Sequence, residues 1–394
     1  MLSAAWIIAY ILFPFLGAAA IASLILRYKH LHVSTTADCD LGGIQKFHNV
    51  PVPRIGGIPI AFGFLLGQLL LAVTVRPGME FITQNNYQSL VWAGALAFGV
   101  GLLEDVTKKI GPLPRLLVTF VAAGCAWLWL DVKIDRMAIP VIDHFLAIHP
   151  LVALLLTVFV IGGVSHAFNI VDGYNGLASG SSLIMLSALS IVAFSLNDLT
   201  VAIPCCVLIG SIAGFLVFNF PYGKLFLGDG GAYLIGFMIS VLSIRLSNQH
   251  PESVSPWFPM LLVIYPVFET VFSIYRRKLQ GRAVGLPDRG HLHQLIFLRL
   301  VRWKTASKQN HDRVFRNSLT SPYLWGLTTI AAIPAVLFHD STFWLSLFII
   351  GFMCAYTWLY RRIVHFRTPR CMILSIPDHC IKGAKGNSVP LPDA

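Results

Sequence analysis

Apolar residues occur along this chain in long continuous runs that are separated by short polar segments. Most runs approach the length of an α-helix that crosses a bilayer, about 20 residues, whereas strands of a membrane barrel need only about 10. We therefore predict an all-α polytopic membrane protein with about 11 transmembrane helices. The runs fall near residues 4–26, 55–75, 90–103, 116–130, 151–168, 178–196, 201–218, 231–246, 257–275, 322–338 and 342–360.

The composition supports the same class of protein. Of the 394 residues, 56% are hydrophobic and only 12% are charged, whereas a soluble domain carries about twice that share of charge. The first run has no preceding basic residue and no small-residue cleavage site, so we expect a retained helix rather than a removed signal. The seven cysteines show no metal-binding spacing, and we expect most of them to be small core residues.

The basic residues sort strongly between the two sides of the membrane. The odd-numbered connections and the C-terminal tail hold 25 of the 29 lysines and arginines, and the even-numbered connections hold 4. By the positive-inside rule the odd connections are cytoplasmic, which puts the N-terminus in the periplasm and the C-terminus in the cytoplasm. The net charge of +11 then reflects topology and contact with anionic lipid, with no need for nucleic acid. We expect one membrane domain over 1–360, cytoplasmic loops at 27–54, 104–115, 169–177, 219–230 and 276–321, and a cytoplasmic tail at 361–394.

Five unusual polar stretches all fall in the odd connections. They read FHNVPVPRIGGIPI, GLLEDVTKKIGPLPR, HAFNIVDGYNGLASG, FPYGKLFLGDGGAY and GLPDRGHLHQL. The even connections contain nothing comparable. This distribution predicts one composite site at the cytoplasmic face of the membrane.

Two adjacent carboxylates, Glu104 and Asp105, end the third apolar run. Neighbouring side chains on a helix diverge by about 100°, so we expect only one, Asp105, to point into the site toward a metal or a proton. The alternative is a charge cluster at the membrane interface that reaches for water.

The third stretch combines Asn169 and Asp172 with His166 one turn earlier. Helical spacing puts these side chains on one face, and Asn and Asp supply the hard oxygen ligands that Mg²⁺ prefers. Gly173 and Gly176 would let the backbone approach a ligand closely. The alternative is a helix–turn–helix connection in which Asp172 or Asn175 caps the following helix.

Asp229 stands among glycines at the start of the eighth run. A helix N-terminus with glycines is a place where phosphate or a metal-bound phosphate can bind. The alternative is that Asp229 caps the helix.

Two loops with weaker patterns complete the set. In the last stretch, Arg289, His291 and His293 would point the same way if the backbone is extended, which suits an anionic group such as pyrophosphate. A zinc site or a solvated loop are the alternatives. In the first, the PRIGG segment (Arg54, Gly56 and Gly57) can cradle an anion with backbone amides or form a tight turn leading into the second helix.

The segments PRIGGI, LLEDVTKK, NIVDGYNGLA, KLFLGDGGAYLIG and PDRGHLH, in this order, resemble the polyprenyl-phosphate N-acetylhexosamine-1-phosphate transferase family (glycosyltransferase family 4), and its undecaprenyl-phosphate N-acetylglucosamine-1-phosphate transferases in particular. The resemblance covers residues 45–295. It implies that undecaprenyl phosphate attacks the β-phosphorus of a UDP-N-acetylhexosamine, that UMP leaves, and that a lipid-linked glycan such as O-antigen, an enterobacterial-type glycan, a capsule or a teichoic-type polymer is initiated.

The resemblance also assigns residues. It implies Mg²⁺, with Mn²⁺ as an alternative, at Asp229, Asn169 and Asp172, and it makes Asp105 the base or nucleophile with Glu104 as its neighbour. Asp172, His291 and His293 are expected in the catalytic machinery. Arg54, Gly56, Gly57, Arg289 and Lys224 are expected to contact substrate. Glu104 and Gln294 depart from the usual Asp–Asp and His-Leu-His-His patterns, which leaves their roles open.

The expected partners are undecaprenyl phosphate, a UDP-N-acetylhexosamine and the lipid bilayer, with a homodimer as an admissible assembly. The expected location is the bacterial cytoplasmic (inner) membrane with the site on its cytoplasmic face. The alternatives are the phospho-N-acetylmuramoyl-pentapeptide transferase, an anion transporter and a non-catalytic scaffold. The pentapeptide transferase usually shows a His-His-His run, whereas this chain has His-Leu-His at 291–293.

Overall fold

The computed structural model describes residues 4–37, 51–74, 80–281, 290–301 and 317–366. This part of the chain is all-α, as predicted, and its one β-type contact is an isolated bridge between Ala37 and Pro53. The α-helices are α1 (Ala4–Arg27), α2 (Lys29–Thr36), α3 (Gly57–Thr74), α4 (Glu80–Thr107), α5 (Pro112–Leu130), α6 (Pro140–Ile148), α7 (Pro150–Val171), α8 (Leu177–Ser195), α9 (Leu199–Asn219), α10 (Gly228–Gln249), α11 (Phe258–Leu262), α12 (Ile264–Leu279), α13 (Leu292–Ile296), α14 (Ser321–Leu337) and α15 (Thr342–Val364). A π-helical turn, Phe297–Val301, follows α13.

Each of the predicted apolar runs forms helix. Within the described residues, 8 helices are long and apolar enough to cross a membrane, and α3 and α14 are shorter apolar helices. The run at 257–275 is the exception, because it forms α11 and α12 with a break at Val263. Pro266 explains the break, since it has no N–H to donate to the carbonyl one turn earlier. The total of 11 crossings and their orientation remain predictions.

Helix α10 forms the centre of the bundle. It is buried from Gly228 to Ser247 and contacts α3, α4, α5, α7, α8, α9 and α11. The outer helices, in contrast, expose large apolar side chains, such as Val73 at 77% and Leu128 at 77%. An apolar exterior with polar groups held inside is the arrangement that lipid favours, because lipid cannot satisfy hydrogen-bonding groups.

Glycines bring two helices against the first turn of α10. A Cβ built on Gly57 of α3 would lie 2.5 Å from the nitrogen of Gly231, and one on Gly101 of α4 would lie 2.5 Å from Cα of Gly230. The backbones therefore touch at the end of the bundle where the polar stretches lie, which is how small residues allow membrane helices to pack closely.

Candidate active site

The N-terminus of α10 is the point at which the polar stretches meet. Gly228 begins the helix with a φ of +75°, a conformation that a side chain rarely adopts, and a Cβ there would collide with the carbonyl oxygen of Arg54. Asp229 follows in the first turn. Its side chain does not cap α10, so the capping alternative for Asp229 is not what the structure shows.

The cap of α10 comes from another helix. Asp105, near the end of α4, accepts the backbone N–H of Asp229 through Oδ1 at 2.9 Å and that of Gly230 through Oδ2 at 2.9 Å. The residue is 2% exposed. Two N–H donors at a helix N-terminus stabilise a buried carboxylate, because they hydrogen-bond both oxygens and the helix dipole favours negative charge.

Two arginines hold the carboxylate of Asp229. Arg54 donates to Oδ1 at 3.2 Å and lies 3.8 Å from Oδ1 of Asp105, while Arg115 donates to Oδ2 of Asp229. Tyr233 is 3.5 Å from the same Oδ2. Sequence reasoning missed Arg115. The sequence feature that could have identified Arg115 is its position as a basic residue in the first turn of α5, inside the stretch GLLEDVTKKIGPLPR.

Asp172 joins this cluster electrostatically. It ends α7, its backbone N–H bonds to carbonyls within α7, and neither it nor Asn175 caps α8. Burial raises the pKa of the Asp172 carboxyl to about 7; the Arg54 guanidinium opposes this shift, whereas the carboxylates of Asp229 and Asp105 add to it. The structure thus brings the predicted acids Asp105, Asp172 and Asp229 and the predicted basic residue Arg54 within range of electrostatic interaction.

Asn169 lies in the last turn of α7, and His166 lies about one turn earlier. The Nδ2 atom of Asn169 is buried and has no hydrogen-bond partner among the described residues. His166 packs its ring at 4.6 Å from that of Tyr233, and its Nε2 is 3.4 Å from the hydroxyl of Thr119. A buried amide without a partner indicates a place where a ligand can interact.

The two histidines approach the cluster from the opposite side of the turn. A Cβ on Gly173 would lie 2.9 Å from Nε2 of His293, so Gly173 makes room for this ring beside Asp172. The ring of His291 stacks on that of His293 at 5.2 Å. Among the described residues no three His, Cys, Asp or Glu side chains form a metal-binding group, so the zinc alternative has no third ligand there.

Several expectations need correction. Glu104 is half-buried and accepts the N–H of Ile110 at 2.7 Å, which places it in the turn after α4 rather than with Asp229. The amides of Gly56 and Gly57 donate to the carbonyls of Phe226 and Leu227 at 2.8 and 2.9 Å, so they are not open to an anion. These amides form the tight turn leading into α3, which was the alternative.

Further expectations concern glycines and two cations. Gly230 and Gly231 accommodate the close approach of α4 and α3, and Gly176 packs against Phe220. Lys224 has an exposed side chain, and its backbone N–H bonds to Phe218. Arg289 lies outside the described residues.

The chain is similar in sequence to a known family of transferases. The sequence profile of glycosyl transferase family 4 matches residues 87–247. The chain is 30% identical to a "Probable undecaprenyl-phosphate N-acetylglucosaminyl 1-phosphate transferase" of Bacillus subtilis (strain 168), over 78% of each chain. It is also 30% identical to a "Decaprenyl-phosphate N-acetylglucosaminephosphotransferase" of Mycobacterium tuberculosis (strain ATCC 25618 / H37Rv), over 75% of each chain.

A third relative is more distant. An "Undecaprenyl-phosphate alpha-N-acetylglucosaminyl 1-phosphate transferase" of Yersinia pestis is 26% identical over 65% of this chain and 68% of its own length. The matched family profile covers α4, α5 and α10, which carry Asp105, Arg115 and Asp229. This multi-pass membrane protein belongs to glycosyl transferase family 4.

Proposed function

We propose that the protein transfers N-acetylglucosamine 1-phosphate from UDP-N-acetylglucosamine to a polyprenyl phosphate, such as undecaprenyl phosphate, and releases UMP. The observation that carries the proposal is the meeting of Asp105, Asp172, Asp229 and two arginines at the N-terminus of one central helix. The relatives name the sugar and the class of lipid carrier, and they favour N-acetylglucosamine over the other N-acetylhexosamines.

The arginines are the groups that can bring two anionic substrates together. Arg54 and Arg115 reach Asp229 from two sides, and their side chains are 34% and 18% exposed. Each guanidinium can therefore turn part of its hydrogen-bonding capacity toward a phosphate while it keeps contact with the protein. His293 and His291, whose rings stack on each other, can donate further hydrogen bonds to a phosphate.

Asp105 positions the groups that react. A lipid phosphate has a second pKa near 6 and is mostly ionised near neutral pH, so a strong base is not required. Asp105 holds the N-terminus of α10, and with it Asp229, at a fixed position. In this proposal its carboxylate receives the remaining acceptor proton or orients the attacking oxygen.

The residues present suit Mg²⁺, with Mn²⁺ as a substitute. Asp229, Asp172 and the amide oxygen of Asn169 are hard donors, and the buried Nδ2 of Asn169, which has no partner among the described residues, can donate to a phosphate oxygen. When bound, the ion would neutralise the pyrophosphate and polarise the phosphorus that is attacked. Phosphate oxygens would complete a ligand set in which the protein supplies few groups.

The site belongs on the cytoplasmic face in this proposal. The acceptor is anchored by a long lipid and the donor is a soluble nucleotide sugar, so the reaction must occur at a membrane surface. The positive-inside distribution of Lys and Arg supports the cytoplasmic surface, and we place the protein in the bacterial inner membrane.

The proposal is tested with purified protein in liposomes that contain undecaprenyl phosphate. We expect radiolabelled UDP-N-acetylglucosamine and Mg²⁺ to yield a butanol-extractable labelled lipid and UMP, and we expect EDTA to stop the reaction. UDP-N-acetylgalactosamine and UDP-N-acetylmuramoyl-pentapeptide serve as competing donors. Faster transfer from either competitor, or transport of the nucleotide sugar without labelled lipid, would contradict the proposal.

A further inference from the structure

A buried carboxylate lies outside the five polar stretches. Glu269 stands in the middle of α12, in the apolar segment PVFETVF, and is 0% exposed. A buried charge is unfavourable unless hydrogen bonds or opposite charges compensate it, so the partners of this carboxylate indicate its role.

The partners connect the histidine loop to two helices. Glu269 Oε1 lies 2.9 Å from Nδ1 of His291 and accepts the backbone N–H of Leu292 at 3.2 Å. Its other oxygen accepts the hydroxyl of Tyr356, on α15, at 2.5 Å. Because an ionised carboxylate only accepts, His291 donates from Nδ1. This contact fixes the tautomer of His291 with a proton on Nδ1.

Ring contacts lead from this pair to the acidic cluster. His291 stacks on His293 with ring centroids 5.2 Å apart and planes 9° apart. Tyr174 packs edge-on against His293 at 5.4 Å, and Gly173 leaves space for the same ring next to Asp172. A change at Glu269 can therefore reach the acids through His291 and His293.

Further side chains approach this network within the part of the chain that the structure describes. Ser273 lies 3.0 Å from Nδ1 of His291, and Arg276 binds the carbonyl of Gly290 and the hydroxyl of Tyr360. Glu269 is a buried acid in direct contact with His291, so its carboxylate fixes the ring through Nδ1.

We propose that Glu269 is a positioning residue of the transfer site, which holds the His291 ring with Nδ1 as donor and so orients this histidine to bind the pyrophosphate of the nucleotide sugar. This inference rests on the proposed function. It explains a buried acid that sequence patterns give no reason to expect, and it gives α12 and α15 a role in orienting a histidine of the site.

The test compares KM and kcat for UDP-N-acetylglucosamine in liposomes. In Glu269→Gln the side chain keeps its size but loses its charge, so its hydrogen bond with Nδ1 weakens and His291 is held less firmly. We expect KM to rise by about fivefold with a much smaller change in kcat. A loss confined to kcat, or an unchanged KM, would overturn the inference.

Tyr356→Phe is the matched control. It removes one hydrogen bond from Glu269 but keeps the carboxylate and its contact with His291, so we expect KM to stay near the wild-type value. A KM that rises as far in this variant as in Glu269→Gln would show that packing around Glu269, not its hydrogen bond with His291, determines KM.

A double-mutant cycle covers the case in which Glu269→Gln does not fold. Glu269→Asp keeps the charge on a shorter side chain and is combined with His291→Gln. If Glu269 acts through His291, the double variant should be no slower than His291→Gln alone, and additive losses would contradict this. An inactive wild-type protein would refute the proposed function instead, so the two failures are distinguishable.

Discussion

Asp105 has two roles that its neighbour Glu104 does not share, and single substitutions at the two positions can show this difference. Its two oxygens accept the amides of Asp229 and Gly230, and the same carboxylate is the proposed acceptor of the substrate proton. The Glu104 side chain instead accepts the N–H of Ile110 in the following turn. Adjacent acids in the sequence thus have different surroundings in the fold.

We predict that Asp105→Asn lowers turnover by about 100-fold or more. It should also lower the free energy of unfolding by about 1–3 kcal/mol, because the Nδ2 of the introduced asparagine would face a backbone N–H donor. Glu104→Gln keeps an acceptor for the N–H of Ile110, so its turnover should fall several-fold at most. Turnover in liposomes and thermal unfolding in detergent measure both effects. Equal losses in the two variants would contradict the separate roles.

Asp172 should make stability depend on pH in protein without Mg²⁺. Burial raises its pKa to about 7, above the ordinary value of about 3.9. Between these values the folded protein holds a proton that the unfolded chain has released, so stability falls as pH rises through this window. We expect Asp172→Asn to weaken the fall in unfolding temperature between pH 5.0 and pH 7.5 in EDTA.

The half-buried Asp143, which accepts the N–H of Met137, provides the control. Asp143→Asn should leave the pH dependence of unfolding as it is in the wild type. The account of Asp172 fails if its variant and the wild type respond to pH alike.

The sequence could predict most residues of this site but not their partners. Asp105, Asp172 and Asp229 stand out as acids in apolar surroundings. Arg115 and Glu269 stand out less, because a basic residue near a helix end and one acid within a run are also common in surface positions. Their importance depends on contacts across more than a hundred residues for Arg115 and on a loop and a distant helix for Glu269, which local patterns do not contain.

At the scale of elements, the position of the site depends on how closely α4 and α10 approach. A Cβ on Gly101 would lie 2.5 Å from backbone atoms of Gly230, whereas nothing lies within 4 Å of a Cβ on Gly99 of the same helix. The first contact cannot relax by a side-chain movement, because both partners are backbone.

We predict that Gly101→Ala destabilises the protein by about 1–3 kcal/mol, as overpacking does, and lowers turnover because Asp105 moves with α4. Gly99→Ala should be neutral or stabilise by up to about 1 kcal/mol through helix propensity. Thermal unfolding of the two variants checks this. Similar unfolding temperatures would contradict the close approach of α4 and α10.

Periodicity predicted the helices well because the membrane demands long apolar segments. It placed α1, α7 and α9 to within a few residues but gave the run at 257–275 as one helix. It also missed α2 and α6, which are short. Pairwise packing, such as that of α3 and α4 on α10, arises from small residues at contact points and has no periodic signature.

At the scale of the whole molecule, the bundle needs one orientation for the chemistry to work. Lys109 follows α4 at the site end, and Glu252 follows α10 at its other end; both side chains are exposed. We predict that a membrane-impermeant thiol reagent labels Lys109→Cys only from the cytoplasm and Glu252→Cys only from the periplasm. The wild type reports labelling of native cysteines. Labelling with the sides reversed would contradict the positive-inside assignment.

The most direct test of the central claim is the turnover of Asp229→Asn in liposomes with undecaprenyl phosphate, UDP-N-acetylglucosamine and Mg²⁺. Glu252→Gln, which removes an exposed carboxylate beyond the other end of α10, is the control, and thermal unfolding establishes that both variants are folded. We expect equal amounts of UMP and labelled lipid from the wild type and the control, and a loss of about 100-fold or more in Asp229→Asn. Wild-type turnover in folded Asp229→Asn would contradict a transfer site at the N-terminus of α10.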